Sequence, residues 1–212
     1  MDVRLGTNAS ADDVLAFAPD AVVIATGSRP RRPDIPGVDQ PNVVELRAAL
    51  LEEAPVGDRV LLVVQEDHMQ ALSGANFLAH RGKQVHFVCQ TLQPAPKVGK
   101  YTRAIFQQLQ SKGVRFTVMT RAKAIEGDAV VVQRVFAPDV EERIDGIDTI
   151  VLACGGVSET GLYHDLKGRV QELYIIGDAY APRRIYEATQ QVHSRRRLLT
   201  GCSDHGTYRR LL

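Results

Sequence analysis

The chain has 212 residues, 44% of them hydrophobic and 24% charged, enough for one large domain or two small ones with a core that needs no disulfide or metal staple. A net charge of +1 gives no electrostatic reason to expect nucleic acid or anionic lipid as a partner, and no apolar run approaches the ~18 residues of a membrane helix. No apolar stretch follows Met1-Asp2-Val3-Arg4 as it would in a signal peptide, so the chain reads as cytoplasmic.

In chain order, the first apolar run is Ala21–Ala25 (AVVIA), closed by Thr26-Gly27. Arg29–Gln40 is a proline-dense loop. Arg59–Gln65 (RVLLVVQ) and Gln84–Cys89 (QVHFVC) are the next strand candidates, with a helix over Gln70–Arg81 between them. That helix carries Ala71, Leu72, Ala75, Leu78 and Ala79 at helical spacing and stops at Gly82. A second helix, Thr102–Lys112, stops at Gly113 and is followed by a strand over Val114–Val118. Arg121–Ile144 breaks the β–α rhythm. Ala129–Phe136 is too β-branched for a helix, and Gly127-Asp128 marks a tight turn, so the segment reads as a small antiparallel meander. Thr149–Cys154 and Leu173–Gly177 are the last strands, and Pro182–Leu199 is the last helix, opened by a proline that suits a first helical turn. The strands are nearly continuous apolar runs, as expected where both faces of a parallel sheet are covered.

Cys89, Cys154 and Cys202 are far apart and form no C-x-x-C pair, so no redox disulfide, zinc site or iron–sulfur ligand set is encoded, and Cys89 and Cys154 read as small buried hydrophobes. Arg195-Arg196-Arg197 reads as a solvated cluster at a helix end, where cations suit the dipole. The six histidines are scattered, and none pairs with an acid in a recognisable pattern. There is no G-x-S-x-G elbow and no P-loop lysine, which counts against an α/β hydrolase or transferase.

Three segments carry ligand chemistry. In Ala18–Pro30 (APDAVVIATGSRP) a strand ends in a glycine turn, where backbone can approach a ligand closely. A plain strand-to-loop turn fits the same residues. In Tyr174–Arg184 (YIIGDAYAPRR) a strand ends in Gly177-Asp178 and a helix is expected to start at Pro182. The N–H groups of that helix start form an anion site, and Asp178 can accept from sugar or ribityl hydroxyls. Asp178 as a helix cap is equally compatible with the spacing. The third segment, Gly57–Cys89, is a βαβ unit of dinucleotide-binding proportions whose turn, Gln65–Gln70, lacks the G-x-G-x-x-G glycines. Glu66 and Asp67 in that turn would repel a pyrophosphate, and no acid follows Cys89 to hold a ribose, so the unit reads as architecture without the chemistry.

Taken together, Pro19–Gly37, Gly57–Val85, Gly113–Phe116 and Ile175–Arg197 resemble the carboxy-terminal module of the NADH:flavin oxidoreductase / 2,4-dienoyl-CoA reductase / trimethylamine dehydrogenase family. In that family a pyridine-nucleotide-disulfide-reductase-like module follows an old-yellow-enzyme-like barrel. The resemblance implies a three-layer α/β fold with Rossmann-like parallel sheets, built as two interleaved nucleotide-binding-like domains with the small meander. Residues 1–54 and 155–212 would be part of an FAD-binding-like domain, with 55–154 an inserted NAD(P)-binding-like domain. The opening G-x-G-x-x-G unit of the FAD-like domain is not in the sequence, Asp2–Thr7 (DVRLGT) looks like a strand that would follow it, and the chain reads as a fragment.

Carried over by position, Thr26 and Gly27 match the turn passing near the dinucleotide. Asp178, with Gly177 and Ala179, matches the aspartate that holds the ribityl or pyrophosphate part of FAD. Pro182 and Arg183 match the start of the final helix. The expected cofactor is FAD, or ADP as a remnant. The Gln65–Gln70 turn matches an NAD(P) phosphate turn by position only, which argues against NAD(P)H. FMN and a 4Fe-4S cluster are expected only in an N-terminal barrel, the implied partner of this module, with a homo-oligomer as a further expectation. No catalytic acid, base or nucleophile and no metal ligand is assigned, so the isolated chain is expected to be an incomplete catalyst. The competing expectation is a catalytically inert docking or scaffold domain with relic nucleotide pockets.

Overall fold

The computed structural model describes residues 2–99 and 102–199; Cys202 lies outside them, and the side chains of Arg195, Arg196 and Arg197 are not described. In chain order the elements are α1 (Ala11–Ala16), β1 (Ala21–Ile24), β2 (Ser28–Pro30), β3 (Val43–Glu45), α2 (Leu46–Leu50) and β4 (Arg59–Val64). Then come α3 (Met69–His80), β5 (Gln84–Cys89), α4 (Thr102–Ser111), β6 (Arg115–Thr117), β7 (Thr120–Glu126) and β8 (Ala129–Arg134). The last are β9 (Glu141–Ile144), β10 (Thr149–Ala153), β11 (Gly156–Ser158), α5 (Gly161–Leu166), β12 (Glu172–Ile175) and α6 (Ile185–Leu199). The chain forms two compact units. Unit 1 takes in the residues before Pro30 and after Gly155, and unit 2 is Pro30–Gly155.

Unit 2 has three layers. A five-stranded parallel sheet runs β3-β10-β4-β5-β6. Its two faces are filled by alternate residues of the same strands, as the period of two demands. Val60, Leu62, Val64, Val85, Phe87, Val151 and Ala153 face α2, α3 and α4, packing on Leu46, Ala71, Leu72, Ala75, Leu78 and Leu109. Leu61, Val63, Val88, Ile150 and Leu152 face the opposite way, onto Ala122, Ile125, Val130 and Val132. Those four belong to the antiparallel meander β7-β8-β9, which carries a bulge between Ala122 and Ala124. The meander seals the second sheet face, which is why β4 and β10 are apolar at nearly every position. Each large side chain so buried contributes about 1.5–3 kcal/mol.

Unit 1 centres on the parallel pair β1–β12, in register from Ala21 against Glu172 to Ile24 against Ile175. Val22, Ile24, Val14, Leu166 and Ala179 make its core, with α1 and α5 supplying Val14 and Leu166. Short α1 is held by a capping box, in which Ser10 caps the Asp13 amide and the Asp13 carboxylate returns to the Ser10 amide. β2 and β11 form a second short pair.

The structure differs from the sequence reading at three places. Asp2–Thr7 is not a strand: no neighbouring strand pairs with it among the described residues, Val3 and Leu5 are 59% and 88% exposed, and the backbone turns at Gly6. The first crossing between units follows Arg29 instead of residue 54, because β3 hydrogen-bonds to β10 and α2 packs into the unit 2 core. The last helix starts at Ile185, not at Pro182. Among the described residues, no helix is long and apolar enough to cross a membrane.

Candidate functional site

β1 and β12 are parallel neighbours, so their carboxyl ends emerge side by side, and both run into a glycine turn. Gly27 has φ +79° and Gly177 has φ +62°, a left-handed backbone that a side chain would strain. A Cβ built on Gly27 meets nothing within 4 Å, and one on Gly177 meets only Ala188 at 3.9 Å. Backbone at both turns is therefore open to close approach, in the place where open parallel sheets take their ligands.

Asp178 stands between the turns, half-buried. Its Oδ2 accepts from the Ser28 hydroxyl at 3.3 Å, and its Oδ1 accepts from the Arg183 amide at 3.2 Å. The Asp178 carbonyl accepts from the Ser158 hydroxyl at 2.9 Å. The Thr26 hydroxyl donates to the Glu159 carbonyl at 2.5 Å, the Glu159 amide donates to the Gly27 carbonyl at 3.0 Å, and the Glu159 carboxylate pairs with Arg29 at 3.1 Å. The Gly177 amide donates to the Gln191 side chain at 2.7 Å. Ala179 is fully buried in the unit core. A Cβ at Gly156 would meet the Ser28 hydroxyl at 3.0 Å and Pro182 at 3.1 Å, so Gly156 lets that strand lie against the site.

Thr26, Gly27, Gly177, Asp178, Ala179, Pro182 and Arg183 thus all fall in one region of unit 1. Ser28, Ser158, Glu159 and Gln191 join them. Ser28 was legible as the residue after the glycine turn, whereas the other three act through backbone contacts distant in sequence and carry no motif.

The expected anion site at Pro182 takes a different form. Because α6 begins at Ile185, the Arg183 amide is satisfied by Asp178 and the Arg184 amide by the Glu187 carboxylate at 3.2 Å. The hydrogen bond from Arg184 holds the Glu187 carboxyl down at about 2. These two amides are capped by the chain's own acids.

In unit 2, the turn after β4 is also closed from within. The Gln65 amide donates to the Ala153 carbonyl at 3.0 Å. The Glu66 carboxylate accepts from the Ala71 amide at 2.7 Å and the His68 amide at 3.1 Å, at the start of α3. Asp67 pairs with Lys97 at 2.7 Å and with His68 at 2.5 Å. Burial pushes the Asp67 carboxyl up, but the Lys97 hydrogen bond and the neighbouring charges outweigh it and leave it below its ordinary value. Cys89 and Cys154 are buried, and burial raises both thiols, Cys154 to about 12. Neither is a nucleophile at neutral pH.

Unit 1 has two glycine turns on paired parallel strands and unit 2 has βαβ architecture, and residues 3–191 match the family described as pyridine nucleotide-disulphide oxidoreductase. The chain belongs to that family. Within it, this oxidoreductase module is 30% identical over 181 residues to the N,N-dimethylglycine/sarcosine dehydrogenase of Chromohalobacter salexigens, a match covering 79% of this chain and 25% of that one. It is 27% identical over 194 residues to the cinnamate reductase of Clostridium sporogenes, covering 89% and 28%. The structure of histamine dehydrogenase from Rhizobium sp. 4-9 matches with a TM-score of 0.82 at 25% identity, over 96% of this chain and 34% of that one. The module therefore spans about a quarter to a third of the length of these relatives.

Proposed function

We propose that the chain is the nucleotide-holding part of a flavin-dependent oxidoreductase of the amine-dehydrogenase type, and that unit 1 holds FAD, or its ADP portion. The observation that carries this reading is the adjacency of the two open glycine turns at the ends of β1 and β12, with Asp178 and Ser28 between them. Asp178 offers a carboxylate to ribose or ribityl hydroxyls, and Gly27 and Gly177 give phosphate oxygens room against the backbone. Flavin, when bound, supplies the redox chemistry. The residues of this chain hold and orient it. They do so beside an FMN and iron–sulfur barrel in the whole protein, as the family resemblance implies. Unit 1 is the FAD-like part and unit 2 the NAD(P)-like part of the module.

A second reading, an inert docking domain with relic pockets, is favoured by one feature. The polar groups around the turns already satisfy one another, with Asp178 engaged by Ser28 and Arg183 and the Gly177 amide by Gln191.

Calorimetric titration of the purified chain with ADP and with FAD separates the two. The cofactor-holding reading expects saturable ADP binding that weakens about tenfold or more in Asp178→Ala, the effect of removing a charge-assisted hydrogen bond. Absence of both ADP and FAD binding in the unaltered chain up to about 1 mM, a threshold near −4 kcal/mol, overturns it in favour of the docking domain.

A further inference from the structure

The turn after β4 is where an inserted dinucleotide domain would seat a pyrophosphate, on the free amides at the start of α3. Here the amides of Ala71 in the first turn and of the cap residue His68 have an occupant. Two residues upstream of the helix cap, Glu66 reaches forward with both carboxylate oxygens, one to the Ala71 amide at 2.7 Å and one to the His68 amide at 3.1 Å. A carboxylate and a phosphate present the same chemistry to a helix start: anionic oxygens accepting from backbone N–H groups. His68, the cap residue, makes no side-chain cap of its own, so Glu66 alone supplies the anion.

The segment after β5 closes the same place independently. The Lys97 ammonium binds Asp67 at 2.7 Å, and the Lys97 amide donates to the Asp67 carbonyl at 3.2 Å. This draws the loop after β5 onto the turn after β4. The loop is anchored by Ala95, which is buried and has φ +48°. The ends of β4 and β5, where a dinucleotide's phosphates and ribose would lie, thus carry a fixed carboxylate and an internal ion pair.

We propose that Glu66 is a specificity-determining residue that shuts unit 2 to nicotinamide dinucleotides by standing in for their pyrophosphate. The inference deepens the reading of unit 2 above and is independent of whether unit 1 holds FAD. An incoming pyrophosphate would have to displace two charge-assisted hydrogen bonds and then face the acids Glu66 and Asp67. The residue types in the turn and the glycines missing from it act in the same direction, but Glu66 is the group in contact with the amides.

The test is residue-resolved. The ¹⁵N-labelled chain is titrated with NADH, and the amides of His68 and Ala71 are followed. Those of Gly27 and Gly177 are followed in a parallel titration with ADP. In the unaltered chain, His68 and Ala71 are expected not to shift up to about 1 mM NADH. In Glu66→Gly, the same amides are expected to shift saturably, with affinity at least about tenfold above the limit set by the unaltered chain. Glu66→Gln, which keeps an acceptor but loses the charge, is expected to fall between them. Saturable NADH shifts at His68 and Ala71 in the unaltered chain overturn the proposal. So does a well-dispersed spectrum of Glu66→Gly with no NADH response. If Glu66→Gly does not fold, the unaltered chain and Glu66→Gln decide the matter: a Glu66→Gln response with none in the unaltered chain supports the proposal, and any other pattern overturns it. The ADP titration at Gly27 and Gly177 tests the FAD-like reading of unit 1 separately.

Discussion

His86 turns the packing of unit 2 into a pH dependence. It lies on β5 among the residues that face the meander side, half-buried, with Nε2 2.8 Å from the Thr117 hydroxyl on β6. Burial, helped by the neighbouring Arg115 charge and opposed by Glu142, brings its pKa from 6.5 down to about 4. The folded ring is then neutral across a range in which the unfolded ring takes up a proton. The unfolded state binds more protons between those two values, so stability falls as pH drops through 6.5 and levels off below about 4. A group of this kind is worth up to about 2 kcal/mol of lost stability at pH 5 and up to about 3 kcal/mol at pH 4. Solvent near a half-buried ring reduces these to about 1–2 kcal/mol. Urea unfolding at constant ionic strength, followed by circular dichroism at pH 7.5 and pH 5, measures the loss in the unaltered chain and in His86→Gln. The variant, which keeps a partner for Thr117, is expected to lose about 1–2 kcal/mol less over that interval. Curves for the two proteins that run parallel within about 0.3 kcal/mol would refute the reasoning, since that is the spread of independent sites.

Gly37→Ala is expected to destabilise unit 2 by about 2–4 kcal/mol, because the new Cβ would lie 2.1 Å from the Ile125 carbonyl oxygen and the residue has φ +83°. Faster hydrogen exchange at the Ile125 amide, which donates to the Pro36 carbonyl at 2.8 Å, is the local readout. Leu62→Ala, at a fully buried position on the helix side of the sheet, is expected to cost about 2–5 kcal/mol in denaturant unfolding. Asp148 is held at about 2 by hydrogen bonds from the Arg59 guanidinium and amide and from the Asp58 amide. Its contribution is present above its ordinary value of 3.8 and lost as pH falls through about 2, so Asp148→Asn is expected to lower the urea midpoint at pH 7 and to converge on the unaltered chain near pH 2.

The elements legible in the sequence are those buried on both faces. β1, β4, β5 and β10 are apolar at almost every position because helices and a meander, or a core of helices, cover them, and that pattern needs no knowledge of the partner. α3 and α4 carry a periodic apolar face and end at Gly82 and Gly113, both left-handed. β3 and α2 were not legible. Each is five residues or fewer, too short to show a period; β3 is placed by pairing with β10 and α2 by packing into the unit 2 core. Asp2–Thr7 alternates like a strand but has no described partner, and alternation alone makes no ladder. At the candidate site, the two glycine turns and Asp178 could be read from local motifs. Glu159 and Gln191 could not, because each holds a turn through contacts distant in sequence that leave the local pattern unmarked.

Two carboxylates in this chain stand just past the end of a parallel strand, Asp178 after β12 and Glu66 after β4, and residue type and position alone would give them the same role. What they accept separates them. Asp178 takes one hydroxyl and one amide from a loop, and the glycine turns on either side of it stay open, so a ligand hydroxyl can replace Ser28 without unmaking a helix start. Glu66 takes its hydrogen bonds from the cap residue His68 and from Ala71 in the first turn of α3, whose buried face packs against the sheet. Displacing it uncovers helix amides that must then be satisfied by the incoming anion alone. The exchange at Asp178 is close to neutral in hydrogen bonds, whereas at Glu66 a phosphate must first expel an equally good acceptor and then bear its repulsion. On the reading proposed above, the same functional group at the same point of a β–α connection therefore favours a ligand in unit 1 and opposes one in unit 2.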